Sequence, residues 1–204
     1  MQIFFPKEEA QEIRATILPE VAKKLVDLGI QVSVESGLGD KVFVSDDLYS
    51  KAGATICHDR AGGFKSADVV CKINKPTSDE IQLLTKDSIY ISFLDPFNEK
   101  QIVAELASAG VSSISMELVP RITRAQKMDA LSSQANLAGY AAVIEDSRTL
   151  SKSFPMMMTA AGTISPARVF IVGVGVAGLQ AIATAKRLGA RVEAFDTRPI
   201  VEEQ

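Results

Sequence analysis

The chain has 204 residues, of which 47% are apolar and 23% are charged, so it holds enough apolar material for one or two globular domains. A net charge of −3 and a pI near 5.3 argue against nucleic acid or an anionic membrane as a partner. No apolar run approaches the length that crosses a bilayer, so we expect no direct membrane insertion. The N-terminus lacks a basic segment followed by an apolar one, and we therefore expect no secretory signal.

The two cysteines and the single histidine do not form a recognisable metal site. Cys57 and Cys71 follow no disulfide pattern, which favours a reducing compartment. Cys57, His58 and Asp59 are adjacent, and adjacent side chains cannot all converge on one ion. The sequence therefore predicts a loop histidine and no metal.

Apolar runs alternate with helical patterns along most of the chain. Strands are predicted at residues 3–5, 31–35, 68–73, 89–93 and 111–116. Helices are predicted at residues 19–28, 45–52, 78–85 and 98–109. A helix, a glycine and an apolar strand follow one another at Gly29, Gly110 and Gly189. This order is typical of parallel sheets flanked by helices and joined by right-handed crossovers.

A long helix over residues 123–147 and a loop over residues 154–166 separate these units from the last part of the chain. We place a domain boundary here, between an N-terminal Rossmann-like domain (1–140) and the first part of an NAD-binding Rossmann domain (141–204). The predicted fold class is α/β, with two Rossmann-like parallel-sheet domains, the second truncated after its second strand. The methionines at 156–158 are expected to pack between the domains.

Residues 168–196 have the order that a dinucleotide-binding unit requires. A β-forming run enters a glycine turn, an apolar helical pattern follows, and a second strand ends at Asp196. Gly173 permits the turn, Gly175 lets backbone N–H groups approach a pyrophosphate, and Gly178 allows the helix to pack closely on the strand. The helix N-terminus adds unpaired donors and the positive end of its dipole. The residues predicted to bind the cofactor are Gly173, Val174, Gly175, Val176, Ala177, Gly178, Asp196, Thr197 and Arg198.

The terminal acid of this unit favours NAD(H) over NADP(H). The Asp196 carboxylate would accept hydrogen bonds from the adenosine ribose hydroxyls and repel a 2′-phosphate. Arg198 lies two residues further on and weakens that preference. A glycine-rich turn in another α/β protein is the alternative, but the agreement of strand, helix and acid favours dinucleotide binding.

The predicted helix from residue 123 is more polar on one face than core packing requires. Its polar positions recur at helical spacing, at Gln126, Asp129, Ser132, Ser133 and Asn136. A solvated face explains this pattern equally well. Thr123 with Gln126 forms a possible capping box, and Asp129 in an early turn is favourable through the helix dipole alone.

Three segments in order, at residues 117–140, 154–163 and 173–189, resemble one known family. They are similar to the NAD(H)-binding component of proton-translocating NAD(P) transhydrogenase, the N-terminal part of its alpha subunit. The resemblance implies two Rossmann-like domains with a cleft between them. It also implies direct hydride transfer between NAD(H) on this component and NADP(H) on a separate component, coupled to proton movement through a membrane-spanning component. A homodimer on the cytoplasmic or mitochondrial-matrix-like face, peripheral to the membrane through its partners, is expected.

The resemblance also implies roles for four residues at the nicotinamide end of the cofactor. Arg121 would hold the carboxamide end, and Gln126 would position the nicotinamide ribose near the site of hydride transfer. Asp129 and Ser132 would form a hydrogen-bonded set that fixes the orientation of the ring. No protein nucleophile or general base is needed, because the cofactors themselves carry the hydride.

A relative with the same fold, alanine dehydrogenase, is the competing enzyme. Arg14 matches the position that binds the substrate carboxylate there. The catalytic lysine of that family falls on Asn74 and its catalytic histidine on Asp95, which leaves oxidative deamination without its base. A slip of one or two residues would instead place Lys72 or Lys75 at the lysine position.

The third alternative is an NAD-binding or assembly fragment without turnover of its own. The family's later strands, its mobile loop over the cofactor and its closing helix are not found before residue 204. An unfinished parallel sheet exposes an edge, so we expect pairing with a second polypeptide or a symmetry mate, or weak folding past about residue 166.

Overall fold

A computed structural model describes residues 1–9 and 11–201. The chain forms two compact units, Met1–Arg121 and Ile122–Gln204. The units divide at 121/122 because the helix predicted from residue 123 packs within the second unit. The domain division at residue 140 stays a prediction.

The first unit is a parallel sheet covered by helices. Its strands are β1 (Gln2–Phe5), β2 (Gln31–Glu35), β3 (Thr55–Cys57), β4 (Val69–Cys71), β5 (Ile89–Ser92) and β6 (Ser112–Ser115). Its helices are α1 (Pro19–Asp27), α2 (Asp46–Lys51), α3 (Arg60–Ser66), α4 (Ser78–Leu83) and α5 (Lys100–Ser108). The six strands lie in the order β3-β2-β1-β4-β5-β6, which is the strand order of the Rossmann fold. The predicted α/β class is confirmed.

Strand β1 is central in this sheet and shows why both faces are covered. Ile3 and Phe5 pack into one core cluster with Val34 and Tyr49, while Phe4 packs into another with Phe64. Successive side chains of a strand point to opposite faces, so an uninterrupted apolar run requires helices on both sides.

The second unit contains a smaller parallel pair. Its elements are α6 (Ala130–Thr149), β7 (Met157–Thr159), β8 (Gly162–Ile164), β9 (Arg168–Val172), α7 (Val176–Arg187) and β10 (Arg191–Phe195). Strands β9 and β10 pair in parallel from Arg168 and Arg191 to Val172 and Phe195. Buried side chains of α6, α7 and the strand entrance form its core, namely Val143, Phe154, Ala167, Ala181 and Ala185.

Three local expectations were wrong. The helix predicted from residue 123 is a 3-10 helix over Thr123–Met128 followed by α6, because Asp129 leaves the helical conformation and caps α6. The loop predicted at 154–166 contains the antiparallel hairpin β7–β8, in which Met157 and Met158 are exposed. Strand β3 and helix α3 were missed, since β3 has three residues and α3 carries two glycines that disfavour helix.

Candidate dinucleotide site

The turn between β9 and α7 is built around two glycines. Gly173 has φ of +94°, the left-handed region that favours glycine, and its N–H donates to the carbonyl of Phe195 at 2.8 Å. A Cβ placed on Gly178 would lie 1.9 Å from the carbonyl oxygen of Gly173. Helix α7 can therefore approach the turn this closely only with glycine at position 178.

The space in front of the turn is open. A Cβ placed on Gly175 meets no heavy atom within 4 Å, so a ligand can approach the backbone there. Gly175 is the N-cap of α7, and its carbonyl accepts from the N–H of Leu179 at 2.8 Å. The first N–H groups of an α-helix have no intrahelical acceptor, and the helix dipole is positive at this end, so the turn suits an anion.

Asp196, at the end of β10, is hydrogen-bonded to the same turn. Its Oδ2 accepts from the backbone N–H of Val174 at 2.8 Å and from Arg198 Nη2 at 3.0 Å. Its Oδ1 accepts from the backbone N–H and the Nε of Arg198, at 2.8 and 3.0 Å. Hydrogen bonds from the Arg198 side chain, and then from the backbone N–H groups, hold the pKa of Asp196 well below its ordinary range. The carboxylate is therefore ionised at neutral pH.

A cavity of about 420 Å³ lies beside this carboxylate. Its lining is mostly apolar, with Asp196 and Arg198 as the charged groups, and consists of Val174, Leu179, Ile182, Ala194, Phe195, Asp196, Arg198, Pro199 and Val201. An apolar slot with a few placed polar groups is the usual form of a small-molecule site. Val176, Ala177 and Thr197 complete the predicted set, at the start of α7 and directly after Asp196.

One supporting residue was missed. Gly139 is buried on α6, and a Cβ there would lie 2.1 Å from the carbonyl oxygen of Ala177 in the first turn of α7. Close packing of α6 therefore fixes the start of the helix that faces the cavity. A glycine inside a helix, far from both of its ends, was the available signal.

The second predicted set is only partly brought together. Asp129 accepts from the backbone N–H of Ser132 at 2.8 Å and from its hydroxyl at 2.6 Å. Gln126 lies exposed on the 3-10 helix, and Arg121 lies exposed at the end of the first unit. The capping box expected from Thr123 and Gln126 is wrong, because Ile122 is the N-cap of that helix and provides no side-chain hydrogen bond.

The positions that matter for alanine dehydrogenase line a separate cavity in the first unit. This cavity of about 660 Å³ lies where β4, β5 and β6 end, and Asn74 and Asp95 both line it. Lys75 forms an ion pair with Glu99 in its wall. Arg14 is paired with Glu12 at 2.6 Å.

Lys72 is not available to that cavity. Its side chain is 0% exposed and its Nζ bonds both carboxylate oxygens of Glu80, at 3.0 and 3.1 Å. A lysine enclosed with a carboxylate is held as a buried ion pair, so it cannot exchange protons with a substrate in the cavity.

Among residues 1–9 and 11–201, no helix combines the length and the apolar character that crossing a membrane requires. The fold and the glycine turn define a dinucleotide-binding α/β protein.

Two family models identify the group to which this protein belongs. The N-terminal domain of alanine dehydrogenase/PNT matches residues 4–138, and the C-terminal domain of alanine dehydrogenase/PNT matches residues 142–204. The chain therefore belongs to the alanine dehydrogenase/PNT family.

Known relatives place it near the transhydrogenases. The chain is 49% identical to the first of the separate polypeptides that form the NAD(P) transhydrogenase alpha subunit of Rhodospirillum rubrum, over 100% of this chain and 55% of that protein. It superposes on a transhydrogenase structure from Sinorhizobium meliloti with a TM-score of 0.95 and 46% identity, covering 100% of this chain and 61% of that one. An L-alanine dehydrogenase structure gives a TM-score of 0.87 and 26% identity, covering 100% of this chain and 56% of that one. The resemblance to transhydrogenase is confirmed, and the chain spans little more than half the length of these relatives.

Proposed function

We propose that the protein is the NAD(H)-binding part of a proton-translocating transhydrogenase. In this proposal NAD(H) exchanges a hydride directly with NADP(H) held on a partner component. The observation that carries the proposal is the glycine turn at Gly173 and Gly178, joined to the ionised carboxylate of Asp196 through the N–H of Val174. This arrangement fits a dinucleotide, since the turn is open at Gly175 and the acid lies at the wall of an apolar slot.

The residues of the turn would hold the adenosine half of the cofactor. Backbone N–H groups from Gly175 to Gly178 would receive the pyrophosphate, and Asp196 would accept from the ribose hydroxyls. Val176, Ala177, Thr197 and Arg198 would border the same half.

The nicotinamide half would be oriented by Arg121, Gln126, Asp129 and Ser132. Two bonds already hold Asp129 and Ser132 together, so this pair presents its polar atoms in one arrangement. The cofactor supplies the hydride chemistry, and the protein contributes alignment and the exclusion of water. Arginine, amide, carboxylate and hydroxyl groups suit that task without a general base.

Alanine dehydrogenase activity is the weaker alternative. The cavity at the ends of β4 to β6 presents the amide of Asn74 and the carboxylate of Asp95, where that enzyme carries lysine and histidine. Lys72 is buried with Glu80, which removes the replacement that a shift in alignment would offer. Proton transfer to a substrate therefore has no suitable base at these positions.

The proposal includes partners and a place in the cell. An NADP(H)-binding component and a membrane-spanning component would complete the enzyme, and a homodimer would hold two copies of this chain. The assembly would place this part on the cytoplasmic or matrix-like face, peripheral to the membrane. The 49% identity to a protein named as one portion of a subunit supports partners of this kind.

Two assays test the proposal. With the partner components added, NADPH should reduce an NAD analogue, and a Gln126→Ala variant should lower the rate while calorimetry shows retained NAD⁺ binding. Formation of NADH from L-alanine by the chain alone would instead establish the dehydrogenase. Nucleotide binding with no rate in either assay would identify an assembly fragment.

A further inference from the structure

Arg198 occupies the acceptor positions that the cofactor needs. The Asp196 carboxylate has four donors, of which three belong to Arg198 and one is the N–H of Val174. A carboxylate has about four lone-pair sites, so this one is already saturated. Ribose hydroxyls can bind to it only after some of these donors leave.

The guanidinium is the donor that can leave. The Arg198 side chain is 58% exposed, whereas that of Asp196 is 8% exposed. The bonds from the backbone N–H groups of Val174 and Arg198 involve the main chain of the turn and are retained as long as the turn keeps its shape. A long exposed side chain can exchange its partner for water or for a ligand at little cost in packing.

We propose that Arg198 determines how strongly this site rejects NADP(H), an inference that rests on the proposed NAD(H) site. When NAD(H) binds, the ribose hydroxyls replace the guanidinium on Asp196, and Arg198 is left at the rim of the same cavity. In that position its planar donors match a 2′-phosphate. Asp196 therefore rejects NADP(H) in two ways, since it repels the phosphate and also holds the arginine that would bind it.

Four forms of the full chain separate these effects when NAD⁺ and NADP⁺ binding are measured by calorimetry. The wild-type chain tests the proposed function, because it should bind NAD⁺ more tightly than NADP⁺. In Asp196→Ser the freed arginine should raise NADP⁺ affinity by about 10- to 100-fold, the range of one charge-assisted hydrogen bond. The double variant Asp196→Ser with Arg198→Ala should lose most of that gain. Arg198→Ala alone should bind NAD⁺ at least as tightly as the wild-type chain, because a competitor for Asp196 has been removed.

Two results would overturn the inference while leaving the NAD(H) site in place. One is an equal gain in NADP⁺ affinity, or no gain, in the single and double variants. The other is weaker NAD⁺ binding by Arg198→Ala. Circular dichroism confirms folding, and Asp196→Asn, which keeps an acceptor for the Val174 N–H, replaces Asp196→Ser if that variant unfolds.

Discussion

The turns that follow β1 and β9 have the same plan and different contents. In each case an acid at the end of the next strand accepts a backbone N–H from the turn. Glu35 accepts from Lys7 at 2.7 Å, and Asp196 accepts from Val174 at 2.8 Å. Each acid is also paired with an arginine, Arg60 for Glu35 and Arg198 for Asp196.

The contents differ because the turn after β1 contains no glycine. The buried side chain of Glu8 enters the space at the strand ends and accepts from the Nδ2 of Asn74 at 3.1 Å. Arg60 also bonds Glu80, which holds the buried Lys72. The first unit therefore fills its sheet edge with its own charges, and the second unit leaves its edge open for a ligand. The same strand connection can serve stability in one place and binding in the other.

The largest expected effect comes from breaking the charge network of the first unit. Glu80→Ala leaves Lys72 buried without its carboxylate, and we expect a loss of about 3–5 kcal/mol in the free energy of unfolding. Urea denaturation followed by circular dichroism measures it. The matched control is Glu193→Ala, which removes an ion pair to Arg168 whose partners are 61% and 75% exposed, and should cost less than about 1 kcal/mol. Equal losses in the two variants would contradict the contrast.

The same carboxylate should make the first unit sensitive to acid. Burial opposes the ionisation of Glu80, but the attraction of Lys72 and hydrogen bonds from Thr77, Lys72 and Arg60 outweigh it and hold its pKa below the ordinary 4.5. A depressed folded-state pKa gives stability that is present above the unfolded value and lost as the pH falls through the folded value. Glu80→Gln should therefore lose less stability than the wild-type chain between pH 5 and acid unfolding, as measured by urea titrations at each pH.

The second unit is tested by its glycines, which the first turn lacks. Gly178→Ala forces a Cβ against the Gly173 carbonyl at 1.9 Å, and we expect a loss of about 1–3 kcal/mol together with loss of NAD⁺ binding. Gly175→Ala is the control, because no heavy atom lies within 4 Å of its Cβ, and it should weaken NAD⁺ binding while the melting temperature changes little. Thermal melts and calorimetry on both variants decide the matter. A stable Gly178→Ala chain that binds NAD⁺ would show that close approach is not required.

The smallest effect concerns the cap of α6. Asp129→Ala removes the acceptor of the Ser132 N–H and should cost about 1 kcal/mol, with faster hydrogen exchange confined to the first turn of α6. Asp129→Asn keeps an acceptor and should cost less. If the two variants lower turnover equally with the partner components added, then the charge of Asp129, rather than its cap, serves the nicotinamide half.

Local patterns in the sequence determined the class of fold and the position of the dinucleotide turn. Apolar periodicity and the glycines at 173, 175 and 178 depend on neighbours in the chain, and backbone geometry translates them directly into strand, turn and helix. The helix break at Asp129 was not predicted, because the acid could equally have lain within a longer helix.

Only the tertiary structure showed which distant groups meet. Lys72 with Glu80, Gly139 with Ala177, and the saturation of Asp196 by Arg198 and Val174 each depend on where the packed backbone places side chains from different elements. Spacing along the chain carries no information on such convergence, since it is decided by how helices pack on the sheet and which polar groups are enclosed there.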